Sequence, residues 1–209
     1  TPEALVESVV EEINILEGMD FYSIVVSIKS SNIRTMVDAN RIFSDKYNYP
    51  LHIGVTEAGP PGGRGEAYSS VGLGILLNEG IGDTVRVSLT GDPLNEIKTA
   101  KDILASLELR RIGPRIISCP TCGRLEFDLE RFLKQIENEV KSIVAPITIA
   151  VMGCSVNGPG EAKEADIGIA GGRRSAVIFK KGKKVAAVNE KEIMKVFLRE
   201  LNHLIKEEY

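Results

Sequence analysis

The cysteines of this chain lie in two short turns, CPTCGR at residues 119–124 and GCSVNGPGE at residues 153–161. Each turn follows an apolar run, at residues 116–118 and 147–152, that is typical of a buried strand. If these two strands pair in parallel, both turns begin at the same edge of one sheet. Three thiolates would then meet at one point, which indicates a metal centre.

Composition sets broad limits on what the protein can be. The chain has 209 residues, which is enough for one large domain or two small ones. Of these residues, 43% are hydrophobic and 26% are charged, as in ordinary globular proteins. The formal net charge of −3 gives no basic field of the kind that nucleic-acid binders carry. We see no apolar run long enough for a membrane span and no signal-peptide pattern. Three cysteines without a secretory signal favour a reducing compartment over a disulfide framework.

The first residues predict a helix with no strand before it. Thr1 is a suitable N-cap, Pro2 a suitable first helical residue, and the amphipathic pattern stops at Gly18. The chain does not begin with Met. We therefore expect it to be the C-terminal part of a longer protein.

Residues 23–107 repeat a strand-then-helix pattern at intervals of about 30 residues. Near-continuous apolar strands that alternate with helices are typical of a parallel sheet covered by helices. Three such units fit part of a (β/α)8 barrel or part of an open doubly wound sheet. The predicted strands are residues 24–28, 51–55 and 84–89, and the predicted helices are residues 33–47, 66–78 and 93–107.

Polar residues follow the predicted strands, at the edge where α/β proteins bind ligands. They include Lys29, Glu57, Arg86 and Ser88. A lysine, an arginine and hydroxyls at one rim suit a phosphate or diphosphate, although ordinary solvated strand ends look the same. Arg86 is the sharper indication, because we expect it inside an apolar strand, where an unpaired charge is costly to bury.

The glycine- and proline-rich loop at residues 59–65 lacks the Walker lysine and the dinucleotide glycine spacing. It could bind phosphate through its backbone, or it could be a mobile loop over the rim.

The pattern of helices and strands changes after a predicted linker at residues 108–114. We predict two domains: residues 1–110, a barrel part on the substrate-phosphate side, and residues 111–209, an α+β domain. The second would contain a helix at residues 127–144.

The cysteines alone leave several chemistries open. A thioredoxin-like pair needs the Cys-x-x-Cys at a helix start, and a zinc knuckle needs a fourth ligand that neither histidine supplies nearby. Three thiolates suit a cubane iron–sulfur cluster with one iron free of cysteine. Glu161, behind the small flexible stretch 157–160, could hold that iron loosely, or it could be a surface glutamate in a loop.

The two cysteine turns together closely resemble the C-terminal region of the 4-hydroxy-3-methylbut-2-enyl diphosphate synthase family. The resemblance covers essentially the whole chain, and the combination of the two turns is far more specific than the barrel segments. Besides GCSVNGPGE at 153–161, the matching segments are VSIKS at 26–30, VTEAG at 55–59, DTVRVS at 83–88 and SCPTCGR at 118–124.

The resemblance implies a 4Fe–4S cluster held by Cys119, Cys122, Cys154 and Glu161. It implies that 2-C-methyl-D-erythritol 2,4-cyclodiphosphate is reduced by two electrons, with loss of water, to 4-hydroxy-3-methylbut-2-enyl diphosphate in the non-mevalonate isoprenoid pathway. It also implies a homodimer in which the barrel of one subunit faces the cluster domain of the other. Reduced flavodoxin or ferredoxin is the implied electron donor, and the implied location is the bacterial cytoplasm or, in a plant or alga, the plastid.

The same resemblance places substrate-binding residues on both parts of the chain. Lys29, Arg86 and Ser88 match barrel positions associated with substrate, and Asn157 matches a polar residue beside the cluster. Glu57 also matches a barrel position, and we hypothesise that it positions or protonates a leaving oxygen. We hypothesise that Glu161 gives up its place when substrate binds.

The sequence departs from the family pattern in one respect, and two other functions stay open. The family barrel has eight βα units, whereas this sequence holds the last three with the preceding helix, so we expect this chain alone to be inactive. An electron-transfer module is one rival, but four cysteines would suit it better, and Lys29 and Arg86 argue against it. The other rival is a structural zinc domain joined to a barrel.

Overall fold

The structure is a computed structural model that describes residues 1–57, 59–111 and 113–208. Ala58, in the motif at 55–59, and Ile112, in the predicted linker at 108–114, lie outside these ranges. The chain divides into two compact units, Thr1–Arg111 and Ile112–Tyr209. No helix in the described ranges is long and apolar enough to cross a membrane.

The first unit alternates helices with short strands, as an α/β chain should. Its helices are α1 (Pro2–Glu17), α2 (Ile33–Lys46), α3 (Arg64–Asn78) and α4 (Pro93–Ser106), and its strands are β1 (His52–Gly54) and β2 (Thr84–Arg86).

The predicted starts of α1 and α4 are confirmed by their caps. Thr1 Oγ1 accepts a hydrogen bond from the backbone N–H of Ala4 at 3.3 Å, and Asp92 Oδ1 accepts one from Leu94 at 2.9 Å. In each case a proline follows the cap, where its fixed φ suits a first helical turn.

Parallel pairing joins the strands of the first unit. β1 and β2 run parallel with Gly54 opposite Arg86, and Val26 forms an isolated parallel bridge with Leu51. The predicted strand at 24–28 is therefore reduced to one bridge, partly because the carbonyl of Ile28 accepts a hydrogen bond from the side chain of Asn40.

The two faces of this small sheet differ sharply. Every second residue along each strand is buried under the helices, because side chains alternate across a strand. The buried residues are Val26, Ile28, Ile53, Val55, Val87 and Leu89. The opposite face carries Lys29, His52, Thr84, Arg86 and Ser88, which are exposed or half-buried. Arg86 lies in a strand, β2, as expected, but its side chain is exposed rather than buried, because alternation turns it to this face.

The second unit contains a five-stranded mixed sheet in its described residues, in the order β3-β4-β5-β6-β7. β3, β4 and β5 run parallel, and β6 and β7 continue the sheet antiparallel. The strands are β3 (Arg115–Ser118), β4 (Thr148–Met152), β5 (Ile167–Gly172), β6 (Ser175–Lys180) and β7 (Lys183–Asn189), and the helices are α5 (Leu129–Val140), α6 (Gly158–Lys163) and α7 (Ile193–Glu208).

Helices cover both faces of this sheet, so β4 is apolar on both sides. Ile149 and Val151 pack in the larger core with residues of α5 and α7. Ala150 and Met152 face the other way and pack against Ala162 of α6. A strand buried on both faces is a continuous apolar run in sequence, which is why β4 was predictable.

Two predicted elements of the second unit need correction. The helix predicted at 127–144 is shorter, because Asp128 caps it: Oδ1 of Asp128 accepts a hydrogen bond from Arg131 N–H at 3.1 Å. The stretch 157–160 is not a flexible loop, because α6 begins there, with Pro159 at a position that favours a first helical turn.

Candidate functional site

The parallel pairing of β3 and β4 brings the two cysteine turns to one edge of the sheet. Ser118, the last residue of β3, lies opposite Val151. Cys119 follows the first strand directly, and Gly153 and Cys154 follow the second. The predicted placement of the two turns at a common sheet edge is therefore confirmed.

A hydrogen bond joins the two turns. The backbone N–H of Gly153 donates to Sγ of Cys119 at 3.2 Å. Gly153 allows this close approach because it has no side chain: a Cβ atom there would lie 2.2 Å from Cδ1 of Leu125 and 3.5 Å from the sulfur of Cys119. The first cysteine thus contacts the residue that precedes the third.

Cys154 lies in surroundings that favour its thiolate. The residue is buried, with 8% of its surface exposed. Backbone N–H groups of Asn157, Gly158 and Val156 hydrogen-bond to its sulfur and lower the pKa of the thiol, and the guanidinium of Arg124 lowers it further. N–H groups that point at a sulfur stabilise its charged form, which is the form that binds metals.

Glu126 fixes the turn around Cys154, and sequence reasoning missed this residue. Its Oε2 accepts hydrogen bonds from the hydroxyl of Ser155 at 2.8 Å and from the Ser155 backbone N–H at 3.3 Å. Its own N–H donates to the carbonyl of Gly153 at 2.8 Å. The only sequence signal was a charged residue between Leu125 and Phe127, directly after the Cys-x-x-Cys turn.

The other predicted ligands are more exposed. Cys122 is an exposed free thiol, and Glu161 and Asn157 are exposed residues of α6 and of its N-cap. In residues 1–57, 59–111 and 113–208, no three His, Cys, Asp or Glu side chains are grouped closely enough to hold a metal ion. The structure therefore brings Cys119 to the turn of Cys154. Within the described residues, however, it does not bring the three predicted thiolates, or any three of the four predicted ligands, close enough together to hold a metal ion.

The donors themselves suit an iron–sulfur cluster. Cluster sulfur ligands are thiolates tuned by hydrogen bonds from nearby donors. Cys119 and Cys154 both accept backbone N–H hydrogen bonds, and Cys122 is tied to the same turn through its carbonyl, which accepts from Leu125 N–H at 3.1 Å. Three free cysteines with this hydrogen bonding fit such a group chemically.

The predicted barrel residues Lys29, Arg86 and Ser88 lie on the exposed face of the first unit's sheet. Nε of Arg86 donates a hydrogen bond to Oγ of Ser88 at 3.0 Å. Burial lowers the pKa of Lys29, and the nearby positive charge of Arg86 lowers it further. Two cations close enough to affect each other form a natural place for an anion.

Glu57 lies at the end of β1 on an exposed stretch of chain. The pKa of Arg64 is raised by a hydrogen bond to the hydroxyl of Tyr68 and, to a smaller extent, by the carboxylate of Glu57. Glu57 is thus close to the start of α3. The same segment is closely packed at Gly59 and Gly65, where a Cβ atom on Gly59 would lie 2.9 Å from the backbone nitrogen of Gly65.

His52 also lies on this face. The sequence indicated no role for it, beyond its being too far along the chain from the cysteines to complete a zinc site. Its Nδ1 lies 2.8 Å from Oγ1 of Thr84, the residue opposite it on β2. Burial lowers the pKa of His52, and the charges of Lys29 and Arg86 lower it further. His52 therefore shares its surroundings with both predicted phosphate-binding cations.

Two family models match nearly the whole chain. The model described as the GcpE TIM-barrel domain matches residues 1–101, and the model described as the GcpE protein C-terminal domain matches residues 115–203. Both units thus match domains of one family of α/β proteins. The chain belongs to the GcpE family.

Curated relatives agree with this assignment, and each of those described here is named 4-hydroxy-3-methylbut-2-en-1-yl diphosphate synthase (flavodoxin). The relative from Clostridium perfringens is 54% identical over 199 residues, 95% of this chain and 57% of the relative. The relative from Lawsonia intracellularis is 56% identical over 207 residues, 99% of this chain and 57% of the relative. The relative from Caldanaerobacter subterraneus is 50% identical over 208 residues, 100% of this chain and 58% of the relative. The chain thus spans somewhat more than half the length of these relatives.

Proposed function

We propose that the chain carries out part of the reductive ring opening of 2-C-methyl-D-erythritol 2,4-cyclodiphosphate to 4-hydroxy-3-methylbut-2-enyl diphosphate in non-mevalonate isoprenoid biosynthesis. Residues 1–110 supply the last three βα units of a (β/α)8 barrel, and residues 111–209 form an iron–sulfur cluster domain. The names of the relatives and the chemistry of both candidate sites support this proposal.

The observation that carries the proposal is the contact between the two cysteine turns, where Gly153 N–H donates to Cys119 Sγ. Cys119, Cys122 and Cys154 are the proposed thiolate ligands of a 4Fe–4S cluster, and Glu161 is the proposed fourth ligand. Bound there, the cluster would supply single electrons and one iron that is free of cysteine. The backbone N–H groups at the sulfur of Cys154 lower the pKa of its thiol and so favour the thiolate that this role needs.

The proposed work of the first unit is to bind the diphosphate. Lys29 and Arg86 neutralise phosphate oxygens, since fixed cations on one face suit a dianionic group. Ser88 holds the guanidinium of Arg86 through the 3.0 Å hydrogen bond to Nε. That bond fixes the planar fork of donors before substrate arrives, which lowers the entropy cost of binding.

Proton handling is the proposed role of Glu57. The reaction takes up two electrons and two protons and releases one water, so an oxygen must be protonated as it leaves. Glu57 positions or protonates that oxygen, Asn157 contributes an amide to the substrate, and Glu161 withdraws when substrate binds. Reduced flavodoxin or ferredoxin supplies the electrons, and the active form is a homodimer.

Anaerobic reconstitution with iron and sulfide tests the cluster half of the proposal. We expect a broad visible absorption band, with about four irons per chain, and an EPR signal after reduction. Cys154→Ser should lose the band. A colourless protein that binds stoichiometric zinc instead would contradict the proposal and favour the structural zinc domain.

A chimera tests the reaction. In it, this chain replaces the matched C-terminal region of the Clostridium perfringens relative, whose name already states the activity. We expect conversion of the cyclodiphosphate with reduced flavodoxin, and in the chimera Glu161→Ala should keep most of the cluster and lose activity. A chimera that holds the cluster but leaves the cyclodiphosphate unchanged would contradict the proposed function.

A further inference from the structure

Two cations flank β1 on the exposed sheet face of the first unit. Arg86 lies opposite Gly54 in the β1–β2 register. On the other side, Val26 bridges Leu51, and Thr56 N–H donates to Ser30 carbonyl at 3.3 Å, so the segment that ends in Lys29 runs beside β1. Lys29 and Arg86 therefore flank the backbone of Gly54.

Gly54 brings these two strands close together. The residue is buried, and a Cβ atom on it would lie 2.9 Å from the carbonyl oxygen of Arg86 and 3.3 Å from its Cβ. Because Gly54 has no side chain, no group from this position of β1 stands between the two cations.

His52 is the next residue along β1 on the same face, two positions before Gly54. The ring is held by the 2.8 Å contact of Nδ1 with Thr84 Oγ1, and the backbone of His52 is held by the hydroxyl of Ser27, which donates to the His52 carbonyl at 2.7 Å. Because Nδ1 is engaged with Thr84, Nε2 is the ring nitrogen available to a ligand on this face.

We propose that His52 is a third anion-binding residue of this face and that its Nε2–H donates to an oxygen of the diphosphate held between Lys29 and Arg86. This inference deepens the proposed function and rests on it for the identity of the anion. Without the anion, the neighbouring cations oppose protonation of the ring. A bound anion reverses that balance, so binding is coupled to proton uptake by His52.

The charges around the ring support this coupling. Burial lowers the pKa of His52 most, and the charges of Lys29 in the preceding segment and of Arg86 in β2 lower it further. The carboxylate of Asp83, just before β2, accepts a hydrogen bond from Leu51 N–H at 2.8 Å, so this acid is already engaged with the backbone. Anion affinity should therefore rise as pH falls from about 7 to 5, where histidine titrates.

The chain offers a direct test because it contains two histidines, His52 and His203. His203 is exposed on α7 of the second unit and serves as an internal control. NMR titration of the imidazole carbon-bound protons, with and without sulfate, follows both rings in the whole chain. Sulfate is a suitable probe because its charge stays constant between about pH 5 and 8, the range in which histidine titrates.

We expect sulfate to raise the pKa of His52 and to have no effect on the signals of His203. Unchanged titration of His52 at saturating sulfate would overturn the proposal, and so would failure of sulfate to bind. Neither result depends on turnover. If the chimera does not convert the cyclodiphosphate but sulfate binds normally, the proposed reaction is rejected and the anion site still stands.

Calorimetry with inorganic pyrophosphate gives the second measurement. His52→Phe should weaken binding about tenfold, the value of one hydrogen bond to a charged group. His52→Gln can still donate from its amide, so it should keep much of the affinity. It should lose the part of the pH dependence that His52 adds to the titration of pyrophosphate itself. His203→Gln should match the unmodified chain. Equal pyrophosphate affinity in His52→Phe and in the unmodified chain would overturn the proposal.

Discussion

The backbone N–H of Gly153 donates a hydrogen bond to the sulfur of Cys119 at 3.2 Å, across 34 positions of sequence. The bond ties the Cys-x-x-Cys turn after β3 to the turn that carries Cys154 after β4. Any change that moves the Gly153 backbone should therefore alter the spacing between the first and third cysteines.

Gly153→Ala should loosen this junction. The new methyl group would lie 2.2 Å from Cδ1 of Leu125, so Leu125 or the turn must move. We expect a loss of about 1–3 kcal/mol in the free energy of unfolding, typical of overpacking, and a lower iron content after anaerobic reconstitution. Denaturant unfolding and iron analysis measure the two effects.

Gly123→Ala is the matched control. Gly123 lies in the same cysteine turn, has no positive φ, and a Cβ atom there meets nothing within 4 Å. Its stability and iron content should equal those of the unmodified chain. Equal behaviour of Gly123→Ala and Gly153→Ala would show that the Cys119–Gly153 contact does not govern the site.

Glu126→Ala should release the turn that follows Cys154. It removes the acceptor of both Ser155 hydrogen bonds, at 2.8 and 3.3 Å, and should lower stability by about 1–3 kcal/mol. Glu126→Gln keeps an acceptor oxygen in place and should recover most of the loss in thermal unfolding. If the two variants were equally unstable, the charge of Glu126 rather than its hydrogen bonds would be the important property.

Gly168→Ala should push α6 away from the sheet. A Cβ atom at this position of β5 would lie 2.3 Å from the backbone oxygen of Ala162, which cannot swing aside as a side-chain tip can. We expect a loss of about 3 kcal/mol and, because α6 carries Glu161, a changed environment for that carboxylate. Gly160→Ala, within α6 and with nothing within 4 Å of the added atom, should be neutral or slightly stabilising.

The parts of the fold that were predictable from sequence have local causes. β4 is a continuous apolar run because helices cover both of its faces. The starts of α1 and α4 follow from a capping side chain and an adjacent proline, Thr1 with Pro2 and Asp92 with Pro93. These features act within a few residues, so they leave a pattern in the sequence.

The parts that were missed depend on contacts between distant positions. Glu126 and Ser155 are 29 residues apart, and His52 and Thr84 are 32 residues apart. Such bonds leave no local pattern. The exposure of Arg86 was missed for a different reason. Its position in a strand was predicted, but a short run of residues does not show whether one or both faces of that strand are covered, and here the face that carries Arg86 is exposed.

Asn40→Leu should destabilise the first unit and weaken anion binding together. The buried side chain of Asn40 donates to the carbonyls of Ile28 at 3.0 Å and Met36 at 2.8 Å. Leucine leaves the Ile28 carbonyl without this donor, which costs about 1–3 kcal/mol. Because Ile28 precedes Lys29, pyrophosphate affinity should also fall. Asn14→Leu, at an exposed position of α1, is the control and should change neither stability nor affinity.

The stability of the chain should fall as the pH drops below about 6.5, the ordinary pKa of histidine. The pKa of His52 is lower in the folded chain than this value, because burial and the charges of Lys29 and Arg86 disfavour the imidazolium. The unfolded chain therefore binds the proton more readily, and the stability that neutral His52 contributes is present above about pH 6.5 and is lost as the pH falls through the folded pKa.

Denaturant unfolding at a series of pH values measures the slope of the free energy of unfolding against pH. His52→Gln should flatten it, whereas His203→Gln should leave it unchanged. The carboxylate of Glu79, whose pKa is lowered chiefly by its hydrogen bond with Arg41, loses its contribution only below its ordinary value of 4.5, so the two effects occupy separate pH ranges. An unaltered slope in His52→Gln would show that His52 is equally easy to protonate in the folded and unfolded chains, and the electrostatic coupling to Lys29 and Arg86 would then have to be abandoned.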